Sequence, residues 1–342
     1  MCKLSIIVPV YNMAADGKLE YCLNSLINQT ISDYEIIAVD DKSTDNSLEI
    51  LRDYEKKHPD IFRVIESPEN AKQGAAKNKG ILAAKGEFLG FLDADDWVLP
   101  DTYECALKKA EETGADVVGF DICIVHEHTM IPTERIATNT MDQTGVLDHD
   151  KRSLLLRKTG YFVTKIYRRD FFINPPFAFP EKMFYEDNAV TVDSVMRMKH
   201  FEHIPEVKYF YYQSNASTTH TLSLKNINDR LTASRMVLGS AKKHNILDEY
   251  HKELEFLHAT RFYATTLFSY MQSDIKHSIR FIRELGDEMK SEFPDFMNNQ
   301  YFLDTLDAEQ KKWLLLQQKN STIFFLYYML KKFYRMKRYG RW

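Results

Sequence analysis

Through residue 125, short apolar runs rich in β-branched residues alternate with stretches of helical periodicity, the pattern of a parallel sheet wrapped by helices. The alternation predicts strands at Leu4–Val10, Tyr34–Val39, Phe62–Glu66, Glu87–Leu92 and Asp116–Val125. Between them Leu19, Cys22, Leu23, Leu26 and Ile27 recur at helical spacing, as do Leu48, Leu51 and Tyr54, so these positions read as core faces. With 342 residues, 44% of them hydrophobic, the chain can bury a sizeable core and hold one larger domain plus an appendage. Residues 126–150 lack periodicity and read as an excursion. A mixed segment follows to about residue 222, then mostly helical sequence, which sets expected domains of 1–222 and 223–342.

The fourth predicted strand stops abruptly at Asp93-Ala94-Asp95-Asp96-Trp97. Carboxylates at a strand mouth suit a hard divalent ion such as Mg²⁺ or Mn²⁺, which takes oxygen ligands and leaves room for phosphate oxygens. An Asp-x-Asp triplet alone is weak evidence, because acids also gather in ordinary solvated turns. The next helix is well marked: Asp101 can cap it, Glu104 stands three residues on, and Gly114 follows its end. That places the cluster in a strand-to-helix loop. In open α/β sheets ligands collect outside the carboxyl ends of the strands, and Val10-Tyr11-Asn12, Asp40-Asp41 and Asp93–Asp96 all fall on that edge.

Composition removes several classes. The net charge of -4 gives no support to a nucleic-acid binder. Cys2, Cys22, Cys105 and Cys123 are scattered without C-x-x-C spacing, so they read as buried free thiols and fit a reducing compartment. Met1-Cys2-Lys3-Leu4 is already strand-like, so no signal peptide is expected and the location is read as cytoplasmic. Neither G-x-G-x-x-G nor G-K-[ST] follows the first strand, against dehydrogenase and P-loop readings.

Four segments in order, Leu4–Asn12, Val39–Asp45, Ala75–Gly80 and Phe91–Trp97, together resemble the family 2 glycosyltransferases of GT-A fold. The resemblance covers roughly residues 3–220 and implies a Rossmann-like mixed sheet flanked by helices, with a C-terminal helical region. It also implies an inverting, metal-dependent glycosyltransferase that moves a sugar from a nucleotide donor, a UDP-sugar by preference, to a glycan or lipid-linked acceptor in surface polysaccharide synthesis. A sugar nucleotidyltransferase and a non-catalytic glycan-binding subunit are the rival readings.

Carried over by residue, Pro9, Val10 and Tyr11 match the segment that holds base and ribose, and Tyr11 can stack on uracil. Asp40 and Asp41 match the acidic pair near the base, where a carboxylate accepts the uracil imide N–H; Asp41 is favoured for that contact and Asp40 for orienting the loop. Gln73 and Gly74 would let backbone approach the ligand. Lys77 stands where the family often has arginine and would balance phosphate charge, although a solvated helix lysine is an equal reading; Asn78 follows it. The resemblance assigns Asp95 to the metal, Mn²⁺ or Mg²⁺, and Asp93 to the ribose or the metal, with Ala94 between them in the nucleotide-sugar contact.

The segment Met183–Asn188 resembles the family's Glu-Asp motif, with Asp187 as the expected base and Glu186 as runner-up. Lys165 matches a lysine that touches diphosphate or acceptor. Tyr209–Tyr212 and the residues after them sit where related enzymes have a loop over the diphosphate, with His220 a candidate third metal ligand. The tail at 321–342 mixes apolar, aromatic and basic residues and is too short in its apolar run to span a bilayer. It reads either as a peripheral anchor on the inner face of an anionic membrane or as a terminal helix packed on its domain.

Overall fold

Strand β1 (Leu4–Val10) is buried along its whole length, as a strand must be when helices cover both faces of its sheet. It pairs in parallel with β2 (Tyr34–Asp40) and with β4 (Phe88–Phe91), while β3 (Phe62–Glu66) continues the parallel set beyond β2. The other strands are β5 (Trp97–Val98), β6 (Val117–Val125), β7 (Arg135–Ile136), β8 (Gly145–Val146), β9 (Lys165–Arg168) and β10 (His200–Tyr212). The sheet order is β3-β2-β1-β4-β9-β6-β10-β5, with β7 joined to β6 and β8 to β10. Because β9 lies antiparallel between β4 and β6, the sheet is mixed.

The structure is a computed structural model that describes residues 2–132, 134–213 and 223–339. It divides into two units, Met1–Ser217 and Thr218–Trp342. In the first, helices α1 (Lys18–Ile27), α2 (Ser47–Lys57), α3 (Lys72–Ala83) and α4 (Thr102–Thr113) connect the early strands. α1 buries Leu19, Cys22, Leu23 and Leu26 against the β1 and β2 side chains. Further along come α5 (His149–Arg157), α6 (Asp170–Ile173), α7 (Glu186–Ala189) and α8 (Thr191–Arg197). The second unit is helical: α9 (Leu224–Lys243), α10 (His251–Leu257), α11 (Thr265–Gln272), α12 (Ile279–Glu292), α13 (Gln300–Asp304), α14 (Ala308–Lys319) and α15 (Ser321–Tyr339). Among the described residues no helix is long and apolar enough to cross a membrane.

Three local expectations need correction. Asp101 occupies the N-cap position of α4 but its side chain makes no capping bond. Its carboxylate instead accepts from Lys208 Nζ at 2.7 Å, because that strand lysine is otherwise buried and needs a counter-charge. Tyr209–Tyr212, expected to begin a loop over the site, is the end of β10, paired with β6 and β5 inside the sheet, and residues 214–222 of that expected loop lie outside the described residues. Pro205, which has no N–H to donate, falls at a register shift in that strand, where a proline is tolerated. Cys22 and Cys123 are buried, whereas Cys2 and Cys105 are only partly so; all four are free thiols.

Pro9 also has a positional reason. β4 accompanies β1 only from Leu4 to Ile7, so on that side Pro9 faces no ladder partner. α3 packs so closely across β1 that a Cβ on Gly80 would lie 2.4 Å from Ile7 Cγ2. Gly80→Val should therefore destabilise the fold by about 1–3 kcal/mol through overpacking, read as a lower urea midpoint with an unchanged slope.

Candidate functional site

The carboxyl ends of β1, β2 and β4 deliver the predicted acidic groups to one edge. Register sets Val10 opposite Asp40 and Pro9 opposite Val39, and the chain after β4 turns at Asp93. The connecting loops are laced together: Asn12 N donates to Ser43 Oγ at 3.1 Å, Met13 N to Ser47 Oγ at 2.7 Å, and Thr44 N to Asn12 Oδ1 at 2.8 Å. Non-glycine residues in the left-handed region gather in the segments that border this edge, at Asn12, Lys42, Lys72, Lys182 and Tyr185. Each such residue costs on the order of 1–3 kcal/mol, which persists only where surrounding structure over-determines it.

The acidic pair divides its labour in the opposite sense to the expectation. Asp41 is buried and spends both oxygens on the start of α3, accepting from Ala71 N at 3.1 Å and Lys72 N at 2.7 Å. Asp40 Oδ2 accepts from Ser43 N at 3.1 Å, while its Oδ1 is buried without a hydrogen-bond partner. Asp41 is thus the loop organiser, and Asp40 keeps the free acceptor. Tyr11, 40% exposed, offers its ring at the same edge. The Lys72 ammonium lies 5.9 Å from that ring centre and 5.0 Å from the centre of Phe184.

α3 is the platform on which the distant segment 179–187 docks. Asn78 accepts from Phe179 N at 2.8 Å and donates to Phe179 O at 2.9 Å, which commits its amide to holding that segment rather than to a ligand. A Cβ on Gly74 would sit 2.1 Å from the Pro180 carbonyl oxygen. The missing side chain there admits this chain's own backbone, and the expected approach to a ligand is corrected accordingly. Gln73 reaches Asp93 Oδ1 at 3.4 Å.

Lys77 is buried, so the solvated reading falls; its ammonium pairs with Glu186 at 2.8 Å, both side chains almost fully enclosed. Burial alone would lower the Lys77 pKa, but Glu186 first, then Asp93 and Asp187, hold the ammonium charged and raise it. Tyr185, at φ 63° and ψ 32°, turns the chain immediately before Glu186. Glu186 is therefore a partner of Lys77, and Asp187, partly buried at the next position, is the carboxylate of the pair that faces less enclosure.

Opposite lies the triplet. Burial first, and then the neighbouring Asp95, Glu186 and Asp187, push the Asp93 carboxyl up to about 6 against the opposing pull of Lys77. Burial also raises Asp95. Asp96 is buried and plays a different part: its carboxylate accepts from the Tyr209 hydroxyl and from Tyr212 N at 2.8 Å, clamping the turn to β10. Sequence reading missed this clamp, although the two-residue alternation of Tyr209-Phe210-Tyr211-Tyr212 signals a strand with Tyr209 and Tyr211 on one face. Ala94 has its side chain in the core. Among the described residues no three His, Cys, Asp or Glu side chains converge as a metal cage. His220 lies outside the described residues.

The donor set nonetheless fits a hard cation. Asp93 and Asp95 supply oxygen ligands only, and burial is the first cause of their raised proton affinity, ahead of the opposing pull of Lys77 on Asp93 and Lys18 on Asp95. Two carboxylates, with the remaining positions left to phosphate oxygens and water, is the usual protein share for Mg²⁺. Lys165 stands apart. It is buried in β9 and donates to Tyr161 O at 2.8 Å, so it holds the turn before it rather than facing an open site.

Comparison with known proteins gives the family and the fold. Residues 5–174 match the family described as glycosyl transferase family 2. The chain is 31% identical over 267 residues to the uncharacterized glycosyltransferase YibD of Escherichia coli K12, covering 74% of this chain and 76% of that one. It is 32% identical over 219 residues to the uncharacterized glycosyltransferase EpsJ of Bacillus subtilis, covering 63% and 62%. In fold it is similar to S. aureus TarS 1-349 in complex with UDP-GlcNAc, at TM-score 0.68 and 20% identity over 99% of this chain and 93% of that one. The mixed sheet flanked by helices, with a helical C-terminal region, is the expected GT-A architecture.

Two outcomes test the electrostatics of this region. Lys77→Met should cost about 3–5 kcal/mol by stranding a buried glutamate, and adding Glu186→Leu should recover most of it, measured by denaturant unfolding of the three variants. Burial pushes the Lys165 amine down to about 7 from 10.5. The unfolded chain then binds the extra proton between those values, so stability rises with pH across that window and is lowest below it. Thermal melts from pH 6.5 to 9.5 should show this rise, and Lys165→Met should flatten it.

Proposed function

The chain belongs to the family 2 glycosyltransferases, and we propose that it is an inverting enzyme that moves a sugar from a UDP-sugar, with a divalent cation, to a glycan or lipid-linked acceptor in surface polysaccharide synthesis. Family membership leaves no ground for a sugar nucleotidyltransferase. The observation that carries the proposal is the opposition of two acidic groups across one cleft. Asp93 and Asp95 stand at the end of β4, and Asp187 stands on the segment that Lys77 and Glu186 fasten to α3.

Donor binding is read from the edge formed by β1 and β2. The exposed Tyr11 ring stacks on the base, and Asp40, with its unpartnered Oδ1, accepts the imide N–H of uracil. Cytosine and adenine offer no such donor at that position, so this contact favours UDP. The similarity in fold to TarS 1-349, whose complex holds UDP-GlcNAc, supports the same class of donor.

Asp93 and Asp95 would hold Mn²⁺ or Mg²⁺, which when bound supplies Lewis-acid stabilisation of the diphosphate charge. Lys77 contributes its field to the same region while remaining anchored to Glu186. Asp187 takes the proton from the acceptor hydroxyl as that oxygen attacks the anomeric carbon from the face opposite the diphosphate. The anomeric bond to phosphate breaks, the new glycosidic bond forms with inversion, and the nucleoside diphosphate leaves. Glu186 cannot share the base role while it neutralises Lys77.

Asp187→Asn should keep UDP binding and lose transfer by roughly 10²–10⁴-fold, as removal of a positioned base does. Asp95→Ala should lose the cation-dependent part of UDP binding. Calorimetric titration of UDP with and without Mn²⁺, followed by donor turnover, separates the two; wild-type turnover in both variants would overturn the assignment.

A further inference from the structure

The last helix of the second unit is amphipathic in an unusual sense. On one side α15 packs Phe324 and Tyr328 against Trp313 of α14, with ring centres 5.8 and 5.0 Å apart. Its mid-helix cations flank that buried side: Lys331 and Arg335 both bond Glu309 at 2.7 Å, and Lys332 donates to the Met271 and Gln272 carbonyls at 3.1 and 3.0 Å. The outward side carries Ile323, Leu326, Tyr327, Leu330, Phe333 and Tyr334, each more than half exposed. At about 100° per residue these six fall within an arc of roughly 120°. Between residues 323 and 334 every exposed position on the helix is apolar or aromatic. Lys337 and Arg338 then continue the same face.

Single exposed apolar residues need no explanation, but a stripe three turns long does. Its surroundings select what covers it. From residue 310 to the end the sequence has nine lysines and arginines and no aspartate or glutamate. A second copy of the chain docked on this stripe would bring two such cationic helices together with no acid from either to offset them. An anionic lipid surface offers the complementary charge, an apolar phase for Ile323, Leu326, Leu330 and Phe333, and a headgroup zone that favours the tyrosines.

We propose that α15 lies flat in the interface of an anionic membrane, with Ile323, Leu326, Leu330 and Phe333 inserted below the headgroups and Lys337 and Arg338 at the phosphates. The inference is independent of the donor and of the chemistry at the cleft. Flotation of the full chain with vesicles tests it, comparing phosphatidylcholine alone with an equimolar mixture of phosphatidylcholine and phosphatidylglycerol. The anionic vesicles should bind about tenfold or more tightly, with the preference shrinking at high salt, since each cation near such a surface contributes about 1 kcal/mol. Leu330→Glu/Phe333→Glu, two exposed sites, should reduce that binding about tenfold or more with circular dichroism unchanged. Lys337→Glu/Arg338→Glu should abolish the anionic preference.

Absence of flotation with either vesicle, or binding indifferent to headgroup charge, would overturn the proposal. Sedimentation without lipid gives the other decisive outcome. A dimer that Leu330→Glu/Phe333→Glu converts to monomer would assign the stripe to a second copy instead.

Discussion

The buried contact between Lys77 and Glu186 is the interaction on which the cleft depends. It joins residues more than a hundred positions apart and fastens the turn that bears Asp187 to the helix that faces Asp93. A buried ion pair is weak evidence for added stability, because desolvation of both charges offsets their attraction. Its effect here is positional. With the ammonium surrounded by carboxylates and Asn78 and Gly74 gripping the preceding segment, Asp187 has one place to be.

That geometry concentrates like charge in a partly enclosed space. Burial raises the proton affinity of both Asp93 and Asp95, and at Asp93 the neighbouring carboxylates raise it further. Left-handed residues on the bordering segments add strain of the same kind. The rest of the sheet absorbs these costs: β1 is buried throughout, and Asp96 is withdrawn from the cluster to clamp the turn against β10.

Much of this was legible in the residues themselves. The predicted β1 and β3 bounds coincide with the observed strands, β2 and β6 differ by a residue at one end and β4 by a residue at each end, since an unbroken apolar run bounded by turn residues has few other uses. The convergence of Tyr11, Asp40 and Asp93 follows from topology alone. What sequence did not disclose depends on long-range partners. The exchange of duties between Asp40 and Asp41 is decided by the first turn of α3, the roles of Gly74 and Asn78 by a segment about a hundred residues away, and the enclosure of Lys165 by strands on both sides of β9. β10 escaped notice because Pro205 and its charged neighbours interrupt the apolar alternation of a strand that bends at that point. The mixed composition of the tail at 321–342 was legible, but helical periodicity marks a face without saying which one is covered, so its outward stripe was not.

The central claim is that the carboxylates at the end of β4 hold a cation against a nucleoside diphosphate. Anomalous diffraction at the manganese edge, from crystals soaked with UDP and Mn²⁺, tests it most directly. The account predicts one strong peak between Asp93 and Asp95, in contact with diphosphate oxygens, with the base lying over Tyr11. A peak elsewhere, or a nucleotide seated away from this edge with the carboxylates empty, would contradict it.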